Sequence, residues 1–312
     1  MRITRQLDDL RLERQPVVLA VGSFDGVHRG HQAVMSRAVS AAREMRGEAW
    51  ALTLDPHPLK ILKPEAAPPL ITSTEHKIRL VEALGVDGCV IMPFTAAVAA
   101  EEPADFLGRL KAEAPSLCEL VVGDNWTFGR HAKGDVALAQ KLGPSIGFAV
   151  TVMDPVIWKG SPISSTRVRR AVAQGHLEEA EHMMGRPFSI LGTVVSGKHV
   201  GTQLGYPTAN LDPHNEVRPP SGIYAVRVDV GGRLYDGAAF LAETADAKST
   251  PSGFVVEVHI MDFEADVYGR DLEMLFVRRI REVRPFPTRQ ALKAQIGRDV
   301  EEARRILSEK PE

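Results

Sequence analysis

The sequence predicts two units in series: a parallel α/β sheet followed by an antiparallel β-barrel with a C-terminal helix. Three observations predict it. Up to residue 153, short β-rich runs alternate with amphipathic stretches, as in βαβ units. After Gly185-Arg186-Pro187 the runs alternate at period two and are separated by Gly, Pro, Asn and Asp turns rather than by helices. A last amphipathic stretch, 288–308, has the helical period. The boundary is expected near 184–188, which gives units 1–185 and 186–312.

In the first unit the strands are expected at 17–23, 48–54, 88–93, 118–123 and 147–153. Helical patterns lie between them near 31–46, 75–84, 103–113 and 134–142. In the first helix Val34, Ala38, Ala41 and Met45 recur at 3.6-like spacing and predict one buried face. Ligands of such sheets bind beyond the carboxyl ends of the strands. That gathers three stretches that each follow a strand: "GSFDGVHRGH" (22–31), "DPHP" (55–58) and "GDNWTFG" (123–129). The second unit is built from the runs "GTVVS", "GIYAVRVDV", "RLYDGAAFL", "FVVEVHIMDF" and "LEMLFVRRI".

Composition narrows the class. The 312 residues carry a net charge of -2, 44% hydrophobic and 25% charged residues, as in a globular chain without polycation character. No nucleic-acid partner is expected. No apolar run approaches the roughly 20 residues that span a bilayer, and the first residues contain no apolar signal region, so no membrane association is expected. Cys89 and Cys118, the two cysteines, lie in apolar runs and read as reduced core residues of a cytoplasmic protein. A monomer or weak homo-oligomer is expected.

The stretch "GSFDGVHRGH" holds three glycines and two histidines. A glycine-rich strand-to-helix turn points backbone N–H groups outward, and the helix dipole adds positive potential, which suits phosphate. The spacing of Gly22, Gly26 and Gly30 fits neither the dinucleotide fingerprint nor the P-loop. His31 falls in the first helical turn and His28 just before it, so both imidazoles can face phosphates, and Gly30 between them allows close backbone approach. The alternatives at this point are a turn with two surface histidines, or a metal pair short of the ligands a tight zinc site wants.

Two further stretches carry chemistry. In "ISSTRVRR" (163–170), Ser164, Ser165 and Thr166 open a helix with Arg169 one turn on. They are either caps of that helix or hydroxyls that hold a triphosphate with the guanidinium. In "GTVVSGKHVGTQLGYPTANL" (192–211), Gly197, Gly201 and Gly205 mark turns, and Thr208 and Asn210 place neutral oxygens on one side of an extended segment. That is either a plausible pair for a hard cation or an ordinary turn. Strand alternation puts Val255, Glu257 and His259 on one face, so Glu257 faces either a cleft or solvent.

The order and spacing of these motifs resembles the prokaryotic bifunctional riboflavin kinase/FAD synthetase family, across essentially the whole chain. The first unit is similar to the Rossmann-like H-x-G-H nucleotidyltransferases. The resemblance implies that an FMN phosphate oxygen attacks the α-phosphorus of ATP and pyrophosphate leaves. His28 and His31 would hold ATP phosphates, with Gly22, Phe24 and Gly30 on the nucleotide side. Ser164, Ser165, Thr166 and Arg169 would cradle the β- and γ-phosphates. Asn125, Trp126 and Phe128 would belong to the flavin site, with core packing as the alternative for Trp126 and Phe128 and equally readable for Phe128, and His57 would line the same cleft. The family often carries Asp where this chain has Asn125.

The barrel resembles the flavokinase signature G-x-x-x-G-x-x-L-G-[FY]-P-T-A-N. The resemblance implies that Thr208 and Asn210 bind Mg²⁺ with ATP, and that Gly197, Gly201, Gly205 and Pro207 lie on its nucleotide. Glu257 would act as base on the ribityl 5′-hydroxyl of riboflavin. The implied small-molecule partners are ATP, riboflavin, FMN, FAD and pyrophosphate. One segment departs: the family continues after "YDGAA" with "NIG-x-RPT", whereas this chain reads "FLAETADAKSTPSG" (240–253). The favoured expectation is a bifunctional enzyme. Its alternative is an FAD synthetase with a weakened or inactive kinase module.

Overall fold

The computed structural model describes residues 1–197, 200–244 and 253–309. It divides into two compact units, Met1–Pro69 with Thr74–Ser165, and Leu70–Ser73 with Thr166–Glu312. The first contains strands β1 (Arg2–Thr4), β2 (Val17–Val21), β3 (Glu48–Asp55), β4 (Gly88–Pro93), β5 (Leu117–Gly123) and β6 (Ala149–Met153). They form one sheet in the order β1-β4-β3-β2-β5-β6, with every pair parallel. Its longer helices are α1 (Arg29–Glu44), α2 (Thr74–Glu82), α3 (Pro103–Glu113) and α4 (Val136–Ile146).

Strand alternation sorts β2 onto two cores. Val17, Leu19 and Val21 join Phe106, Leu107 and Leu110 of α3 and Ala139 of α4. Val18 and Ala20 join Met35, Ala38, Val39 and Ala42 of α1. A strand buried on both faces reads as a continuous apolar run, which is why "VVLAV" looked as it did. Truncating the fully buried Leu19 to Ala would cost about 2–5 kcal/mol. The chain leaves β2 toward β3 on one side and reaches β5 on the other, so β2 is the switch point of the sheet. A cleft opens at the carboxyl end of such a strand.

Several expectations need correction. Strand β1 was missed: it has only three residues, mostly exposed, and exists through long-range pairing such as Arg2 with Gly88. Met45 is not on the buried face of α1; it is the residue after the last turn and is 41% exposed. The buried face is Val34, Met35, Ala38, Val39, Ala41 and Ala42. Helix α1 starts two residues before the expected position, because His28 caps it. Both cysteines are free, but Cys118 is only half-buried while Cys89 is buried.

Helix α5 (Ser165–Ala173) begins on the last residue of the first unit, and α6 (Leu177–Met184) follows. The barrel strands are β7 (Ser189–Val195), β8 (Ala209–Pro213), β9 (Gly222–Val230), β10 (Arg233–Glu243), β11 (Phe254–Ile260) and β12 (Asp271–Arg281). They close in the order β7-β8-β11-β10-β9-β12, and all pairs are antiparallel. Tyr224 and Phe276 meet edge to face at 5.3 Å in its core. The Tyr224 hydroxyl donates to the Pro220 carbonyl at 2.6 Å, and burial pushes it up to about 12. Helix α7 (Arg289–Ser308) packs Ala303, Ile306 and Leu307 on Ala225 and Met261. Arg281 holds it through two hydrogen bonds to Asp299, at 2.8 and 2.6 Å. The segment Leu70–Ser73 belongs to this unit: Asn215 donates to the Ile71 carbonyl, and the Leu70 N–H donates to Glu216 at 2.8 Å.

Candidate active sites

The turn after β2 is shaped by unusual backbone. Phe24, Gly26 and Val27 all have positive φ, at 49°, 80° and 41°. For a buried β-branched residue such as Val27 this conformation is costly, and residues of this kind cluster where a site needs a fixed shape. The Gly22 N–H donates to the Leu52 carbonyl at 3.1 Å. A Cβ on Gly22 would lie 2.8 Å from the Phe24 ring, so the ring occupies that space.

His28 is the N-cap of α1: its Nδ1 accepts the His31 N–H at 3.4 Å. In the neutral ring the proton then sits on Nε2, which makes that nitrogen a donor. The His28 and His31 rings stack at 3.6 Å with a 19° interplanar angle, and Phe24 meets His31 edge-on at 5.4 Å. A Cβ on Gly30 would lie 3.1 Å from Cε1 of His28. The glycine of H-x-G-H therefore makes room for the first histidine's own ring. The Ser165 hydroxyl donates to the Asp25 carbonyl at 2.9 Å, and the Ile163 carbonyl lies 3.9 Å from the same Cβ position on Gly30. The start of "ISSTRVRR" thus lies against the turn. Ser164 is half-buried; Thr166 (exposed) and Arg169 (half-buried) fall in the second unit.

"DPHP" and "GDNWTFG" end β3 and β5, the two neighbours of β2, and so share its carboxyl edge. His57 caps the short helix Pro58–Leu62, its Nδ1 accepting the Leu59 N–H at 3.3 Å. Trp126 stacks on Phe128 at 4.4 Å and 17°, and Phe128, 7% exposed, sits in the core beside Phe106 at 5.8 Å. Phe128 supports, and Trp126 is the half-buried face above it. Asn125 and Asp124 are exposed.

In the barrel, one register row joins four strands: Val195 pairs with Asn210, Asn210 with Glu257, and Glu257 with Phe240. The glycines ahead of this row are shaped by its side chains. A Cβ on Gly197 would run into the Asn210 side chain, and one on Gly201 into the Tyr206 carbonyl, with Thr208 Oγ1 at 3.1 Å. Gly205 has φ 87°, where side chains are strained. His259 Nδ1 lies 2.8 Å from the Pro207 carbonyl, and its ring meets Tyr206 edge-on at 5.6 Å. The loop carrying Thr208 is thereby pinned to the face of β11 that bears Glu257. His259 had no role in the sequence reading, although alternation with Glu257 was its signal.

Thr208 and Asn210 offer neutral oxygens, the donor chemistry that a hard cation takes. Among the described residues no group of three or more His, Cys, Asp or Glu could hold a metal ion. Of the divergent segment 240–253, Phe240–Glu243 continue β10, and the Thr244 N–H donates to the Gly253 carbonyl at 3.0 Å. Residues 245–252 lie outside the described residues. Two residues beneath the first turn, Thr53 and Lys77, were also missed by the sequence reading; nothing in "LTLDPHP" or "TEHKIRL" marks them.

Residues 11–167 match the FAD synthetase family, and residues 184–307 match the riboflavin kinase family. The second match runs through the divergent segment, and nothing favours a chain with the synthetase alone. A Pseudomonas fluorescens protein described as bifunctional riboflavin kinase/FMN adenylyltransferase is 34% identical over 308 residues, covering 99% of this chain and 98% of its own. Its Escherichia coli K12 counterpart, described in the same words, is 34% identical over 311 residues, 98% of each chain. A solved Streptococcus pneumoniae structure, described as a macrolide-efflux protein, superposes with a TM-score of 0.82 at 27% identity, over 97% of this chain and 98% of that one. No helix among the described residues is long and apolar enough to cross a membrane. With both units matched in order and relatives aligned over nearly their full length, the chain belongs to the bifunctional riboflavin kinase/FMN adenylyltransferase family.

Proposed function

We propose that the chain phosphorylates riboflavin to FMN with ATP in the barrel and adenylylates FMN to FAD in the sheet unit. We place the boundary between the two activities at 185/186, where the sequence pattern changes. What carries this reading is that the two sites present opposite chemistry, each suited to one nucleophile. The attacking group in FAD formation is a phosphate oxygen, already anionic, so the site needs donors and no base. The turn and the segment against it supply them: the N-terminus of α1, the His28 and His31 imidazoles and the Ser164 hydroxyl, with Ser165 bracing the turn through the Asp25 carbonyl. As the FMN oxygen bonds to the α-phosphorus, the bond to the β-phosphate oxygen breaks and pyrophosphate carries away the charge. Trp126 offers an aromatic face to the isoalloxazine ring, with Asn125 and His57 beside it.

Riboflavin, in contrast, attacks through a neutral hydroxyl, and such a nucleophile needs a base. Glu257 takes the 5′-hydroxyl proton as the oxygen bonds to the γ-phosphorus and ADP leaves. Its register partner Asn210, with Thr208, would hold Mg²⁺, which when bound neutralises phosphate charge. Gly197, Gly201, Gly205 and Pro207 shape the loop around that nucleotide, and His259 positions it. The free thiols suit the reducing cytoplasm, where we place both reactions. Incubation with riboflavin and MgATP should yield FMN and then FAD by chromatography; FAD from supplied FMN but none from riboflavin would contradict the kinase half.

A further inference from the structure

Lys77 is a buried charge that neither reaction uses. It lies on α2, is 8% exposed, and donates to Thr53 Oγ1 at 3.1 Å. Thr53, 1% exposed, donates in turn to the Ser23 carbonyl at 3.0 Å, inside the turn that follows β2. Burial pushes the Lys77 ammonium below its ordinary range, and the charges of Asp25 and Asp55 pull it back. The neighbouring Cys89 thiol is pushed up to about 11 by burial and stays neutral.

A buried ammonium is costly unless it is paired and hydrogen-bonded. Asp25 presents the complementary problem. It is 1% exposed and belongs to the turn itself, where a carboxylate repels the phosphates that the N–H groups and imidazoles attract. The hydrogen-bond chain from Lys77 through Thr53 to the Ser23 carbonyl brings the ammonium to the turn that carries Asp25, two residues on. We propose that Lys77 is a positioning residue for adenylyl transfer: it offsets the Asp25 carboxylate within the phosphate turn and, through Thr53, fixes the Ser23 carbonyl so that the turn keeps its shape. This rests on the reading of Gly22–His31 as the site of ATP phosphates.

The test is a double-mutant cycle on the full chain, with FMN and ATP as substrates and riboflavin phosphorylation measured on the same preparations. Lys77→Met keeps the apolar stem and most of the volume while removing charge and donor, so a purely space-filling role would leave its kinetics unchanged. The expected result is a KM for ATP in FMN adenylylation raised about tenfold, with the kinase untouched. Adding Asp25→Asn to Lys77→Met should recover most of that loss. Unchanged KM in Lys77→Met, a double variant no better than the single, or equal loss of both activities overturns the proposal. Should Lys77→Met be insoluble, the double variant carries the test, and its equal insolubility counts against the charge pairing. His31→Ala separates the two layers. If it adenylylates normally, the turn is not the phosphate site and the proposal falls with it. If it is inactive while Lys77→Met is normal, only the role of Lys77 falls.

Discussion

Asn210 and Glu257 face each other across the β8–β11 ladder, so a neutral oxygen and a carboxylate share one row of the barrel. Backbone pairing holds them there, which makes the spacing of the proposed cation ligand and the proposed base insensitive to loop motion. Glu257→Gln keeps the shape and removes the base. It should lower conversion of riboflavin to FMN by about 10²–10⁴-fold and leave conversion of FMN to FAD intact. Product chromatography checks this, and unchanged kinase turnover would remove Glu257 from the role of base.

The glycines of the barrel loop make a sharper steric prediction. At Gly201 an added methyl meets the Tyr206 backbone carbonyl, which cannot swing aside, and then Thr208 Oγ1. Gly201→Ala should displace Thr208 at a cost of about 1–3 kcal/mol, seen as a raised KM for MgATP in the kinase reaction alone. Gly232→Ala is the comparison for strain without a site: nothing lies within 4 Å of its Cβ position, and its φ of 89° makes it a stability change only.

In the sheet unit, His31→Ala removes one ring of the stacked pair and its donor. FAD formation should fall about 10²–10³-fold, with FMN formation spared. Gly30→Ala tests the packing reason for the motif: a methyl 3.1 Å from Cε1 of His28 makes that capping ring give by a few tenths of an ångström. We expect partial loss of FAD synthesis, between wild type and His31→Ala. Full activity in Gly30→Ala would mean that His28 does not need its observed place.

The two thiols should differ in native labelling. Cys89 is 1% exposed and its thiol is pushed up to about 11, so at pH 8 only roughly one part in a thousand is thiolate. Cys118 is half-buried. A thiol reagent at pH 8 should therefore modify Cys118 and leave Cys89 until the chain is denatured. Mass spectrometry of the labelled peptides reads the outcome, and early labelling of Cys89 would show that the β4 core opens.

Much of the fold was legible because its signals are local. The run "VVLAV" and the period-two alternation of "FVVEVHI" each state a strand and its environment within a few residues. Strand β1 was not legible, because "RIT" becomes a strand only through a partner more than 80 residues away. The same division holds for the sites. His28, His31, Thr208, Asn210 and Glu257 sit in recognisable motifs. The reason for Gly30 was only half-readable: sequence suggested close approach of a ligand, and the structure shows the approach of the His28 ring. Lys77 and His259 act through single hydrogen bonds to distant segments, and no spacing rule announces such a bond.

One chain is expected to carry two separable transferase sites. The direct measurement is complementation between His31→Ala and Glu257→Gln, each supplied with riboflavin and MgATP. Alone, the first should stop at FMN and the second should make almost nothing. Mixed, they should make FAD, as FMN released by one is adenylylated by the other. If either variant loses both activities, or the mixture makes no FAD although each retains its own reaction on supplied substrate, the account of two independent sites is contradicted.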